Sequence, residues 1–490
     1  MINMKKNTHL VFIFLCFLSI RATAGDYPAS LFGIRPDGIT LNTRSIQFAI
    51  DFIQRQGGGR LVFQVGRYLT GSIHLKSGVT LDFEEGSVLL GSANPLDYDK
   101  ELYTALILAT NEKQIGITGK GVIDGQGGEV AMSLIKMIHS GIIKDPLRND
   151  RPNEGIRPML IDFRSCENIQ IVQVTLKNSA SWVQTYDQCR SVQIEGIRVD
   201  SKAFWNNDGI DIVDCDSVSV THSFIDAADD GICLKSHDEK QVCSNILIRD
   251  CQIRSSANAI KFGTASYGGF SHIRILHNRV YDTFRSAVAL EAVDGGFIDD
   301  VLVDSLQATN TGNAVFLRLG QRIPGRKSRL ENVKFKNVTI EIARGKADSG
   351  YAFEGPIEDQ PRNISPLVIA GLPDAPIKNI SFTNISIHYP GGGNSFIFGA
   401  RPDLPDSIPE LPAHYPEFSM FRELPAWAIY VRHASMLQFD NLSLFCEKKD
   451  YRVAIVLDDV NHARFVNTFI KQPFRRNPFF IQHSADIHIH

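Results

Sequence analysis

Cysteine is scarce in this chain. Its 490 residues include eight, without the density or spacing of a disulfide scaffold or a zinc site. An excess of one charge is also missing. The 51 Lys and Arg oppose 54 Asp and Glu, for a formal charge of −3, so the phosphate-binding footprint of a nucleic-acid partner is absent. Only one apolar run approaches membrane length, and it lies at the extreme N-terminus. Charged residues make up 21% and hydrophobic residues 43%, which excludes a largely disordered protein.

The N-terminal run reads as an export signal. Lys5 and Lys6 precede the apolar stretch Leu10 to Ile20, and Ala22-Thr23-Ala24 supplies a small-residue cleavage pattern. Cleavage after Ala24 is expected to leave a mature chain, 25–490, that is secreted or periplasmic and holds no membrane segment. An uncleaved anchor is the alternative. Removal of Cys16 leaves seven cysteines, expected to be small core residues. Loss of Lys5, Lys6 and Arg21 brings the charge to 48 − 54 = −6.

A repeat organises the rest. Short apolar-polar alternations begin at Ile169, Val192, Val218, Ile246 and Ile273, in steps of 23, 26, 28 and 27 residues. Further copies stand at 331–335 and 378–382. Alternation at period two marks strands, each too short to bury a core alone. Stacked turn on turn, about 4.8 Å apart, they close a continuous core and pair every edge except at the ends. An all-β parallel β-helix is predicted. A propeller blade needs about 40–50 residues and does not fit this period.

The open ends need covers. Asn42-Thr43, followed by Ile46, Ala49, Ile50 and Ile53 and ended by Gly57-Gly58-Gly59, predicts an amphipathic helix with a capped start. It would close the N-terminal end, with 25–110 forming the cap and first turns. Proline and glycine crowd 355–425, where long loops are expected. No linker divides the chain, so 25–490 is read as one domain. Five Asn-x-Ser/Thr sequons, at Asn337, Asn363, Asn379, Asn384 and Asn441, are read mainly as part of the strand pattern.

Asn206-Asn207-Asp208-Gly209 and Asp229-Asp230-Gly231 lie one turn apart, 21 residues from Asp208 to Asp229. Asp-Gly alone signals a turn. Two such pairs in adjacent coils predict three carboxylates on one face, where repulsion keeps one protonated near neutral pH. A glycosidase needs that division of labour between acid and base. The column continues to Asn258 and Lys261, then Glu291, then Arg318 and Arg322. Trp182, one turn upstream, is placed either to stack on a sugar or beside a strand in the core.

These motifs resemble glycoside hydrolase family 28, the polygalacturonases and rhamnogalacturonan hydrolases. Asn206-Asn207-Asp208 is similar to the family's Asn-Thr-Asp motif and Asp229-Asp230 to its Asp-Asp motif, followed by Lys235-Ser236. Ser30 to Gly33, Asp37-Gly38, Gly57 to Gly59 and Tyr68 to Ser77 are similar to bacterial members. The resemblance implies a single-stranded right-handed β-helix of the pectin-lyase-like kind. It implies that Asp229 is the general acid, and that Asp208 and Asp230 hold and deprotonate water with inversion. It implies neither metal nor cofactor.

Two positions depart from the pattern. Asn258 stands where the family has histidine, and Ala289-Leu290-Glu291 where it has Arg-Ile-Lys. A glutamate at 291 is expected to repel the galacturonate carboxylate. A neutral sugar there, as in rhamnogalacturonan, is therefore favoured. The expected substrate is a pectic polysaccharide or oligosaccharide, cleaved in exo fashion. Asn207, Asn258, Lys261, Glu291, Arg318 and Trp182 are the expected substrate contacts. A polysaccharide lyase using a basic residue and calcium is one alternative. A silent carbohydrate-binding β-helix is another.

Overall fold

The computed structural model describes residues 25–99, 104–145, 150–345, 365–393, 408–473 and 477–490. The expected leader, 1–24, lies outside the described residues. Among those described, no helix is long and apolar enough to cross a membrane.

The chain winds into a parallel β-helix. Its strands join in one continuous sheet, each pairing in parallel with the strand about one coil later. Crossovers between parallel strands of one sheet are right-handed, and the coil is right-handed accordingly. The alternating segments stack in register. Ile169 faces Val192, which faces Val218, then Ile246, Ile273, Val301, Val333, Ile380, Leu437 and Ala463. Each of these is at most 2% exposed, so the alternation turns one face of every strand into the core.

Identical side chains at identical coil positions stack. Phe335, Phe382, Phe439 and Phe465 form a column with centroid spacings of 4.8, 5.1 and 4.5 Å and planes within 4°. Burying each ring contributes roughly 1.5–3 kcal/mol relative to exposure. Asparagines stack likewise outside the core. Asn384 donates to Asn337 at 3.0 Å, Asn441 to Asn384 at 3.0 Å and Asn467 to Asn441 at 3.1 Å. Each adopts a left-handed conformation, φ 52–57°, which asparagine tolerates better than most residues. Four of the five sequon asparagines thus use their amide nitrogens within ladders; Asn363 lies outside the described residues.

The predicted end helix spans Thr43–Arg55 and buries Ile46, Ala49, Ile50 and Ile53 on the first coils. The expected cap does not form. Asn42 instead directs its side chain to Arg35, Thr40 and Leu69 backbone groups, so it ties helix to coil. Gly58, at φ 105°, cannot carry a side chain, because a Cβ would lie 2.6 Å from the Gly78 carbonyl. The stretch 355–425 is not loop throughout, since Leu367–Ala370 and Ile377–Gly391 are strands of the coil. Residues 408–425 are irregular and fold back over the outer wall. All seven described cysteines are buried and unpaired.

Candidate active site

The acidic turns stack because of the glycines that follow them. Gly209 donates to the Asp230 carbonyl at 2.9 Å, and Gly231 to the Asn258 carbonyl at 2.8 Å. A Cβ on Gly209 would lie 2.5 Å from the Gly231 carbonyl, and one on Gly231 2.6 Å from that of Ala259. Close approach, rather than positive φ, demands glycine at both places. Asp230 therefore sits directly over Asp208, while Asp229 donates its amide to Asn207, 3.3 Å away. The three carboxylates meet as predicted, with Asp230 rather than Asp229 as the stacking partner of Asp208.

Their surroundings differ sharply. Asp230, 4% exposed, accepts at Oδ1 from the Asn258 amide at 3.0 Å and its side chain at 2.9 Å. Its Oδ2 lies 3.0 Å from Lys261 Nζ. Burial opposes its charge, but Lys261, Arg285 and Asn258 outweigh burial and hold the carboxyl below its ordinary range. Asp229 is the most accessible of the three and has no cation within ion-pair distance among the described residues. Burial, then the charges of Asp208 and Asp230, push it up to about 7. Asp208 is raised as well, by burial first, although Lys235 lies 2.9 Å away.

Lys235 also pairs with Asp211, which is fully buried. Its ammonium stands 4.7 Å from the centre of the Trp182 ring, so Trp182 borders the catalytic cluster while packing on Ala105, Leu108 and Met159. The expected packing beside a strand is what the structure shows, with the ring partly exposed at the edge of the cluster. Asp211 was not singled out from sequence. The signal lay in Gly209-Ile210-Asp211-Ile212, where alternation turns the isoleucines inward and Asp211 outward, in register with Thr185 and Cys233.

Several expected substrate contacts are placed elsewhere. Asn207 is wholly buried and joins Ser181, Ser201 and Ala203, so its amide braces the turn. Asn258 spends its side chain on Asp230 and the Ser286 amide. Arg318, 1% exposed, donates to the carbonyls of Ala370, Gly371, Glu410 and Leu411. It pins the 408–425 loop rather than facing the groove. Arg322 pairs with Asp294 at 2.6 Å. Glu291 is 1% exposed, lies 4.0 Å from Lys261 and has an Oε2 with no hydrogen bond. Burial pushes it up to about 8. Glu291 therefore stands inside the wall, and direct repulsion of a substrate carboxylate is replaced by a contact with lysine.

The loop supplies two residues that had no sequence signal. The Tyr415 hydroxyl accepts from Lys261 at 3.1 Å, and Glu417 lies 3.3 Å from Arg285. Tyr415 is 53% exposed, which presents its ring to solvent above the acids. Oxygens of Asp208 and Asp230 and the Cys233 sulfur lie within 4.8 Å of one another. That set does not fit a cation, since Lys235 and Lys261 already sit on the two carboxylates and burial holds Cys233 as a thiol.

The sequence matches the model of glycosyl hydrolases family 28 over residues 62–254, which includes all three clustered aspartates. The part of the chain that carries the acidic cluster thus resembles this family. The chain is a glycoside hydrolase. An exo-poly-alpha-D-galacturonosidase of Dickeya chrysanthemi is 23% identical over 427 residues, 72% of this chain and 70% of that one. An endo-polygalacturonase of Pectobacterium carotovorum subsp. carotovorum is 24% identical over 294 residues, 56% and 64% of the two chains. Among solved structures, the family 28 exopolygalacturonase of Yersinia enterocolitica superposes with a TM-score of 0.68 at 19% identity. That match covers 96% of this chain and 78% of that one. This hydrolase shares the right-handed β-helix with that enzyme.

Proposed function

We propose that this chain is an exported, inverting hydrolase of pectic oligosaccharides or polysaccharides that contain galacturonate, acting from a chain end. The carrying observation is the opposite treatment of two adjacent carboxyls. Asp229 keeps a proton to about 7, and Asp230 is held ionised by Lys261 and Asn258. In this reading Asp229 protonates the departing glycosidic oxygen. Asp230 takes a proton from the attacking water, which Asp208 helps to hold. Water then adds to the face opposite the leaving group, and the anomeric configuration inverts.

Exo action draws support from the Dickeya exo-enzyme at 23% identity, while the Pectobacterium relative is an endo-enzyme. The substrate preference rests on charge. The cations around the acids, Lys235, Lys261 and Arg285, already face Asp208, Asp230 and Glu417, an arrangement suited to a neutral sugar beside the galacturonate. A lyase would need a basic side chain free to abstract a proton, whereas Lys235 and Lys261 are seated on carboxylates. Digestion of matched galacturonan and rhamnogalacturonan oligosaccharides tests the proposal, with products read by mass and by the NMR of the newly formed anomer. Single-sugar release with inversion is expected. Retention of configuration, or an unsaturated product absorbing in the ultraviolet, would overturn it.

A further inference from the structure

We infer that Lys261 is a positioning residue that keeps the Asp230 carboxylate ionised from inside the wall, rather than a grip on the sugar. This rests on the reading of Asp230 as the base.

The geometry is specific. Lys261 lies on the strand Ile260–Ser266, opposite Cys233 on one neighbouring strand and Ala289 on the other. Only 3% of it is exposed. An ammonium has three donor hydrogens, and protein groups stand around this one. Asp230 Oδ2 is 3.0 Å away, the Tyr415 hydroxyl 3.1 Å and Glu291 Oε2 4.0 Å. The first two are hydrogen-bond distances, and the third is a charge contact without a hydrogen bond. Asp230 is therefore the carboxylate that Lys261 serves most closely.

The two oxygens of Asp230 are treated differently. Neutral donors of Asn258 fill Oδ1, and the cation alone faces Oδ2. Neutral donors do not change charge with pH, so among the described residues the one full compensating charge in contact with the base comes from Lys261. The other charged neighbours of Asp230 are Arg285, Lys235, Asp208, Asp211, Asp229 and Glu291, and Glu417 draws on Arg285 at 3.3 Å. A buried lysine and a buried aspartate each resist ionisation alone, and in contact each sustains the other's charge.

An opposite charge at this distance typically lowers a carboxyl by roughly 1–3 pH units. Removing the cation should therefore raise the pH at which the base is lost. The test is the pH profile of kcat/KM, whose acidic limb reports the free enzyme's base. Lys261→Gln should move that limb upward by about one unit or more, costing roughly tenfold more activity on the limb than on the plateau. Lys261→Arg should restore the limb to within a few tenths of a unit. A carbon-13 titration of the Asp230 carboxyl in Asp229→Asn protein should show the same rise without requiring turnover. Identical acidic limbs in the Gln and Arg variants would overturn the inference, as would a Lys261→Gln loss confined to KM. Asp230→Asn separates the two readings. If that variant keeps its turnover, the assignment of the base fails. If it is inactive while the Lys261→Gln limb stays in place, only the role of Lys261 fails.

Discussion

Glu410 holds His433 Nε2 at 2.9 Å, and Asp459 holds the opposite ring nitrogen at 2.7 Å. The first contact fastens the 408–425 loop to the wall, and the same loop carries Tyr415 and Glu417 to the acids. Arg432, 2.9 Å from Glu410 and 3.2 Å from Asp458, and Arg318 beneath the loop backbone complete the anchorage. Burial lowers the affinity of His433 for its proton, but Glu410 and Asp459 outweigh burial and raise it above the ordinary value.

A raised histidine stabilises the folded loop fully below its unfolded value, about 6.5. That contribution is lost as pH rises through the raised folded value. Amide exchange within 408–425, corrected for intrinsic rate, should therefore quicken at alkaline pH relative to pH 6. His433→Gln should exchange faster at pH 6 and lose the pH dependence. Equal corrected rates at both values in the native protein would refute the latch.

Asp229→Asn removes the proposed proton donor with little change in volume. Turnover should fall roughly 100- to 10,000-fold with thermal unfolding nearly unchanged. In the native enzyme the protonated form is required, so activity should be present below about pH 7 and decline above it as Asp229 ionises. Unaltered turnover on the true substrate would remove Asp229 from the acid role, and an alkaline limb several units higher would place that proton on another group.

Much of this arrangement was legible because the coil converts sequence period into spatial adjacency. The step from Val192 to Val218 became a ladder pair, and the two Asp-Gly turns became one cluster. Reading failed where side chains choose between wall and groove. Glu291 and Arg318 are register partners in the column, as predicted, yet both are buried, Arg318 beneath the returning loop. Tyr415 reaches Lys261 across 154 residues, a distance no local period encodes. Asn42 looked like a helix cap, but the backbone groups of Arg35 and Leu69 competed for its amide and prevailed.

The stacking of the turns can be tested directly. Gly231→Ala places a methyl 2.6 Å from both the Ala259 carbonyl and the Ile253 side chain. Backbone must move to relieve it, at a cost of about 1–3 kcal/mol. Asp230 precedes this glycine, so kcat should drop more than the stability loss alone explains. A lowered melting temperature with kcat preserved would show that the base tolerates displacement of its turn.

Specificity depends on how the cations near the acids are spent. Arg285 is buried and faces Glu417 at 3.3 Å, and Lys261 is committed to Asp230. A galacturonate carboxylate entering this region would have to compete with a protein carboxylate for either one. A neutral sugar would meet hydroxyl partners such as Tyr415 without that competition. Matched oligosaccharides should therefore show a higher kcat/KM on rhamnogalacturonan than on homogalacturonan, by roughly tenfold or more. Glu417→Gln removes the competing charge and frees Arg285 for a charge-assisted contact of about 1.5–3 kcal/mol. It should raise the relative rate on homogalacturonan by at least tenfold while changing rhamnogalacturonan less. A native enzyme that prefers homogalacturonan, or a Glu417→Gln variant whose preference does not move, would show that Arg285 does not govern the choice of sugar.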